Sequence, residues 1–370
     1  MRVIVAGAGL GGLTLAQGLR EAGIDVVVYE RDGARGRPQG ISLHLDERGM
    51  AALRACLPPA HAAVAEATMG GQRERTLMLG EVEGVLSVVG ARPMDGTAGR
   101  VRPGRQTHRP LLRAVLLAGL EDAVRFGTAF TRFERQGAGV RVHFSDGSVD
   151  SADVLVGADG IGSAVRRQFL PHVRVADSGR RMLMGAAPLR AGAGVHALIG
   201  HDPASLQADG MVMALGVLRF TQPPAAARDR WLPALRARAV DGAEDYVMWA
   251  LSSPPVASEA PDALWQRARE LARDLPSPLR TIVEEAWPGL TVALRGGAIP
   301  AMEAWPAAPV TLIGDAIHVA PGFGGNLAMQ DAHRLRDALI RADRGEQDLA
   351  AAIGGYEHAM RRDSFPQPVA

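Results

Sequence analysis

Three stretches of this sequence combine glycines with single acidic residues in a way that can hold negative charge through backbone and side chain together. The first is Gly7-Ala8-Gly9-Leu10-Gly11-Gly12, followed further on by Glu30 and Arg31. The second is Gly157-Ala158-Asp159-Gly160, running into Ile161-Gly162-Ser163. The third begins at Gly314-Asp315, passes through Pro321, Gly322, Gly324, Gly325 and Asn326, and ends at Asp331. Glycines let a backbone approach a ligand closely. A helix that starts just after such a turn presents unpaired N–H groups and a partial positive charge to an anion.

The flanking patterns supply the elements that must position these residues. Val3, Ile4, Val5 and Ala6 form a buried-strand run directly before the first glycine turn, and Leu13, Ala16 and Leu19 then recur at helical spacing up to Gly23. A second strand, Ile24 to Tyr29, ends at Glu30. This is the βαβ dinucleotide fingerprint in its required setting. Gly7 makes the turn, Gly9 admits a pyrophosphate, Gly12 lets helix and strand pack, and Glu30 can take a ribose hydroxyl. The acid suits the adenosine of either FAD or NAD. Asp153 to Val156 and Thr311 to Ile313 likewise read as short buried strands entering their glycine loops, with helices resuming near Ser163 and Asn326.

Composition excludes several other classes. At 370 residues the chain has room for two domains, and a net charge of +1 without a basic block argues against a nucleic-acid partner. All of its cations are Arg, which removes a Lys Schiff base and a Walker-type phosphate loop. Cys56 is a single cysteine, and no Cys/His cluster has metal-ligand spacing, so no metal site is expected and a reducing cytoplasm fits best. No signal-peptide pattern and no membrane-spanning apolar run is present.

Between the glycine loops, Ile41 to Leu45 alternates like a strand and places His44 on one face, either toward a ligand or as a hydrogen-bonded scaffold residue. Asp46 to Leu57 and Pro110 to Leu120 read as helices, so Arg109 stands at a helix entrance. Thr76 to Val89, Val124 to Phe126, Ala129 to Phe133 and Val140 to Phe144 read as strands. The predicted organisation is α/β: a Rossmann-like dinucleotide-binding domain with an inserted antiparallel sheet. Its parts are 1–174, the insert 175–294, and a return segment 295–370. The insert holds strand-like runs Met182 to Ala187, Met211 to Phe220 and Tyr246 to Leu251, and helical runs Arg228 to Val240 and Ala263 to Leu275. Met182, Met184, Met211, Met213, Met248 and Trp249 could line an apolar cavity or form plain core.

The three junctions in this order and spacing resemble the motifs of the single-component FAD-dependent aromatic hydroxylases, the group of para-hydroxybenzoate hydroxylase, and the likeness runs over essentially the whole chain. It implies a Rossmann-like FAD-binding domain with an inserted antiparallel-sheet substrate domain, in which Gly7, Gly9, Leu10, Gly12 and Glu30 hold the ADP half of FAD with Arg31 beside it. It further implies that Arg109, in its Arg-x-x-Leu context, reaches the flavin and that Gly314-Asp315 holds the ribitol. Asp159-Gly160 would serve both FAD and the nicotinamide. Pro321, Gly324, Gly325 and Asn326 would border the isoalloxazine. The implied reaction is hydroxylation of an aromatic or polyketide-like small molecule with O2 and transiently bound NADPH or NADH, through a flavin hydroperoxide, in a monomer or homodimer. An epoxidase, a reductase and a non-catalytic flavin-binding accessory protein are the alternatives. His44 and His318 are the only side chains offered for proton transfer, His318 more as a structural residue. One departure stands out: Pro321-Gly322-Phe323-Gly324-Gly325-Asn326 is about two residues shorter than the family's Pro-x-x-Gly-x-Gly-x-Asn. Either the loop is contracted or the sequence lacks residues there.

Overall fold

The computed structural model describes residues 1–96, 101–208, 210–319 and 324–365. Its organising element is a five-stranded parallel sheet in the order Val310–Leu312, Val154–Gly157, Arg2–Ala6, Asp25–Glu30, Val124–Phe126. The strands are continuous Val, Ile and Leu runs because both faces are covered; Val3, Ile4, Val5, Val154, Leu155 and Val156 are all fully buried. Ala6 lies opposite both Gly157 and Tyr29, and Gly157 lies opposite Leu312. Register therefore brings the carboxyl ends of these strands level, and the loops that leave them share one edge of the sheet. In open parallel sheets that edge, where the strand order reverses, is the place for a ligand.

Helix Leu10–Glu21 runs back along the sheet and packs against the long helix Gly324–Asp343. Their approach depends on small residues: a Cβ on Gly11 would lie 3.1 Å from that of Ala328, and one on Gly18 would lie 2.8 Å from Cδ of Arg336. The last helix, Leu349–Ser364, clamps the edge strand. Tyr356 donates its hydroxyl to the carbonyl of Leu312 at 2.8 Å, and Thr311 donates to the buried carboxyl of Glu357 at 2.9 Å.

The second large element is a seven-stranded sheet ordered Val292–Ala298, Ala176–Pro188, Tyr246–Ser252, Met211–Leu218, Ala204–Ala208, Arg75–Val82, Val85–Pro93. Its pairings are antiparallel except for a parallel one between Ala204–Ala208 and Arg75–Val82. The sheet expected from the insert thus also takes in the hairpin 75–93 from the first segment. One face packs on helices Pro261–Leu271 and Ser277–Glu284 around Leu183, Met213, Leu215, Val247 and Trp249. The helix expected over Arg228 to Val240 instead spans Pro224–Trp231, with a separate 3₁₀ turn at Ala237–Ala239. Pro224 suits a first helical turn, and Pro233 disfavours helical backbone at Leu232.

A three-stranded antiparallel sheet, Ser42–Asp46 with Gly104–His108 and Gln72–Arg73, lies beside the other face of the large sheet. Ile41 packs there with Ala186, Leu218 and Tyr246. A further antiparallel sheet, Val149–Ala152, Gly139–Phe144 and Phe130–Gln136, meets the parallel sheet through Tyr29, whose ring stacks on Phe144 at 3.7 Å. No helix among the described residues is long and apolar enough to cross a membrane.

Candidate functional site

At the end of strand Arg2–Ala6 the glycines divide by purpose. Gly7 has a positive φ of +116°, and a Cβ there would lie 2.3 Å from the carbonyl oxygen of Ala158. A Cβ on Gly12 would lie 2.1 Å from the carbonyl oxygen of Gly7. These two make the turn and its packing. Gly9 differs, since nothing lies within 4 Å of where its Cβ would stand. It is the N-cap of helix Leu10–Glu21, it makes no side-chain cap, and the first turn contains no acid. An open, uncapped helix end facing vacant space is a cradle for a phosphate. Glu30 reaches across from the next strand, accepting from the N–H of Ala8 at 2.7 Å and of Asp32 at 2.8 Å. Its carboxylate both fixes the glycine turn and retains lone pairs for a hydroxyl. Arg31 is exposed beside it.

Two arginines on helix Arg109–Leu117 overlook this turn. Arg109 donates to the side chain of Gln39, and its backbone N–H donates to the carbonyl of Ile41 at 2.8 Å. Burial, aided by the neighbouring Arg113, lowers its pKa to about 10, while Asp315 acts in the opposite sense. Arg113, one turn on, donates to the carbonyls of Ala8 at 3.2 Å and Ala34 at 3.4 Å. Burial lowers its pKa, opposed by Glu30 and Asp32. Sequence reasoning missed Arg113. The available signal was its four-residue spacing from Arg109, which puts both on one helix face.

The loop after Val154–Gly157 carries Asp159 and Gly160, the latter at φ +76°. One oxygen of Asp159 accepts from the N–H groups of Ala164 at 2.6 Å and Val165 at 3.2 Å, so it caps the following helix; the other is buried without a partner. Arg166 joins this loop to the third one, donating to the carbonyls of Ala316 at 2.6 Å and Ile161 at 2.8 Å. Its positioning role was not visible in the sequence.

In the third loop Gly314 has φ +60° and donates its N–H to Asp331 at 2.9 Å, while the His318 ring meets the same carboxylate oxygen at 2.6 Å. His318 and Asp331 are buried 13 positions apart, which makes them a brace for the turn. The turn presents Asp315, which is solvent-exposed. Desolvation raises its pKa, against the pull of His318 and Arg109. The helix beginning at Gly324 starts in front of it: a Cβ on Gly324 would lie 2.7 Å from Oδ1 of Asp315. Gly325 packs on Leu43, and Asn326 is fully buried. The Asn326 amide accepts from the N–H of Asp46 at 2.9 Å and donates to the carbonyl of His44 at 2.8 Å, tying the helix start to strand Ser42–Asp46. Pro321 lies outside the described residues.

His44 bonds the carbonyl of Arg102 through Nε2 at 2.9 Å. Burial and the proximity of Arg73 lower its pKa to about 4, so its ring is neutral near pH 7. The methionines expected to act together are divided by strand alternation. Met211, Met213 and Trp249 belong to the face packed on helices, whereas Met182, Met184 and Met248 are half-buried on the opposite face, where Met184 lies against Gly40 and Met248 against Gly216.

A sequence model described as FAD binding domain matches residues 1–362. The chain belongs to this FAD binding domain family. Curated relatives of this FAD-binding chain include the dual O-methyltransferase/FAD-dependent monooxygenase CTB3 of Cercospora beticola, 27% identical over 97% of this chain and 44% of the relative. Another is the FAD-dependent urate hydroxylase of Mycolicibacterium vanbaalenii, 32% identical over 46% of this chain and 42% of the relative. The chain spans less than half the length of the curated relatives it matches first, 20% and 44% in two cases. Among solved structures, one from Photorhabdus luminescens subsp. laumondii superposes with a TM-score of 0.79 at 27% identity, covering 98% of this chain and 94% of that one. Klebsiella pneumoniae HpxO, solved with FAD and uric acid, shares the fold with a TM-score of 0.75 at 24% identity, covering 98% and 85%.

The residues present fit FAD. The open helix end at Gly9, the Glu30 carboxylate, the unpartnered oxygen of Asp159 and the exposed Asp315 lie at the ends of neighbouring strands, on one sheet edge.

Proposed function

We propose that this protein is an NAD(P)H-dependent FAD monooxygenase that hydroxylates an aromatic or polyketide-like small molecule. The observation that carries the reading is the open, uncapped helix end at Gly9 with the Glu30 carboxylate beside it, in a chain matched over residues 1–362 by the FAD binding domain. In this reading Gly7, Gly9, Leu10, Gly12 and Glu30, with Arg31 at the rim, take the ADP half of the cofactor. Arg109, Asp159-Gly160 and Gly314-Asp315 take the ribitol and flavin half, bordered by Pro321 and the helix start at Gly324, Gly325 and Asn326. Arg113 joins them by holding the glycine turn in place.

The cofactor supplies hydride uptake and oxygen activation; the protein supplies binding, orientation and exclusion of water. The net reaction takes substrate, O2, NAD(P)H and a proton to hydroxylated substrate, water and NAD(P)+. The 20-residue helix beginning at Gly324 favours negative charge at its start, which favours cofactor reduction. The seven-stranded sheet, built from 75–93 together with 176–298, acts as the substrate-binding unit and roof. No described side chain is placed as a general base. His44 is neutral and bonded at Nε2, and His318 is committed to Asp331. A single buried cysteine accords with a reducing, cytoplasmic setting.

The test is the visible spectrum of the purified protein before and after anaerobic NADH and NADPH, with oxygen then admitted and ¹⁸O₂ followed into product. A bound-flavin spectrum bleached by one nicotinamide, with labelled oxygen in the product, is expected. Reduction without oxygen in the product means a reductase. Bound flavin that neither nicotinamide reduces means an accessory protein.

A further inference from the structure

The layer between the three-stranded sheet and the inner face of the seven-stranded sheet is where the fold leaves polar groups without partners. Ser42 pairs with His108 and His44 with Gln106 across adjacent strands, so these side chains share one face. That face is turned to the large sheet, because the His108 ring meets Tyr246 edge-on at 5.8 Å and Phe220 at 6.1 Å. Nδ1 of His44 and Nδ1 of His108 are buried without a hydrogen-bond partner, and the Gln106 amide is buried beside the Tyr246 hydroxyl, which can take one of its N–H groups and leaves the other N–H and the oxygen open. Native folds rarely leave such groups unsatisfied, and several together ask for an occupant.

Arg73 enters the same layer from strand Gln72–Arg73 and is 4% exposed. Its guanidinium donates to two backbone carbonyls, of His201 at 2.8 Å and Val217 at 3.4 Å, and among the described residues it forms no ion pair. The neighbouring acid, Asp202, is already engaged by the N–H groups of Glu74 and Arg75 at 3.0 and 3.1 Å and by the Arg75 side chain at 3.1 Å. A guanidinium buried without a carboxylate is costly. Gly216, on the inner face of the large sheet, is what allows the approach. A Cβ there would lie 2.7 Å from Oε1 of Gln106, 3.0 Å from Nη2 of Arg73 and 3.3 Å from Cε of Met248. The amide and the guanidinium without an acid therefore meet beside Met248, near the end of strand Ser42–Asp46 that Asn326 ties to the flavin-side helix.

We propose that Arg73 and Gln106 are the specificity-determining residues for a carboxylate carried by the aromatic substrate. The inference rests on the hydroxylase reading above and narrows its substrate class. A carboxylate can accept two parallel bonds from a guanidinium and a further one from an amide N–H, which matches the groups left open here. The rings of His108, Phe220 and Tyr246 supply aromatic surface alongside. Burial lowers the Arg73 pKa to about 10, which still leaves it charged at neutral pH.

The test uses flavin-loaded protein titrated with matched pairs, salicylate against salicylamide and 4-hydroxybenzoate against 4-hydroxybenzamide, read by the visible flavin bands and by tryptophan fluorescence. The expected result is a preference for a carboxylate over its amide of about 10- to 100-fold. In Arg73→Gln that preference should vanish while the amide binds as before, and Arg73→Lys should restore part of it. Gln106→Leu, close in volume, should weaken the carboxylate alone, and thermal melting confirms that each variant is folded. Equal binding of both members, no binding by either carboxylate, or a loss in Arg73→Gln that falls equally on the amide overturns the proposal and leaves water as the occupant. A protein that takes up no flavin overturns the hydroxylase reading and this inference with it; flavin uptake without carboxylate preference overturns this inference alone.

Discussion

Alanine at Gly9 and alanine at Gly12 add the same methyl group to one turn, and their effects should be opposite. At Gly12 the new Cβ would stand 2.1 Å from the carbonyl oxygen of Gly7, so Gly12→Ala should cost about 1–3 kcal/mol of stability or more, seen as a lowered melting temperature. At Gly9 the methyl enters vacant space. Gly9→Ala should melt with wild type and yet lose about tenfold or more in FAD affinity, measured by flavin fluorescence titration, because the space belongs to the pyrophosphate. Equal FAD affinity in folded Gly9→Ala would remove the cradle from the binding site. Glu30 makes a related prediction. Glu30→Gln keeps an acceptor for the N–H of Ala8 but loses the charge, and should weaken FAD by about 10- to 100-fold with a smaller change in melting. These positions were legible in the sequence because closely spaced glycines directly after one strand, with a lone acid ending the next, are what a bound dinucleotide demands of its turn. Arg113 was not, since an Arg on an amphipathic helix reads as a solvated face, and only the fold bends its guanidinium back to Ala8.

The edge strand Val310–Leu312 leads into the Gly314-Asp315 turn, and it is held by a titrating group. Glu357, 1% exposed, accepts from Thr311, and burial raises its pKa from 4.5 to about 7 against the opposing effects of Thr311, Trp305 and Arg361. An acid raised on folding contributes stability in its neutral form. That contribution is fully present below pH 4.5 and is lost as pH rises through about 7. Glu357→Gln retains the acceptor for Thr311 and removes the titration. It should therefore match wild type near pH 4 and exceed it above pH 8 by up to about 3 kcal/mol, read as melting temperature against pH. A constant difference across that range would refute the assignment. At this scale the sequence announced the strands and helices whose runs were long and periodic. It misjudged the helix at 228–240, where Pro233 cuts the pattern, and it did not announce Ala204–Ala208, a short strand whose Ser and Gln look like loop.

How the parallel sheet and the roof combine was the least legible level, because strand pairing across the chain leaves no local mark. Nothing in Arg75–Val82 or Val85–Pro93 indicates that these strands complete a sheet begun a hundred positions later, and the parallel pairing of Leu77 with Ala204 is a tertiary event. The alternation within a strand, by contrast, is local, and it assigns adjacent residues to different tasks. Met248 and Trp249 are neighbours on strand Tyr246–Ser252. Trp249 is fully buried against Gly185, where a Cβ would stand 2.4 Å from its ring, and it anchors the helical side of the sheet. Met248 is half-buried on the opposite face, beside Gly216. Trp249→Ala should cost about 3–5 kcal/mol and lower the melting temperature sharply, whatever ligand is present. Met248→Ala should cost much less stability and instead loosen the hold on substrate, so that NAD(P)H oxidation continues while a growing share of the oxygen appears as hydrogen peroxide rather than in product. The measurement is the ratio of hydroxylated product to nicotinamide oxidised, taken alongside melting curves for both variants. If Met248→Ala leaves that ratio unchanged while Trp249→Ala alters it in the folded fraction, the two faces have been assigned the wrong way round, and the substrate lies on the helical side of the sheet.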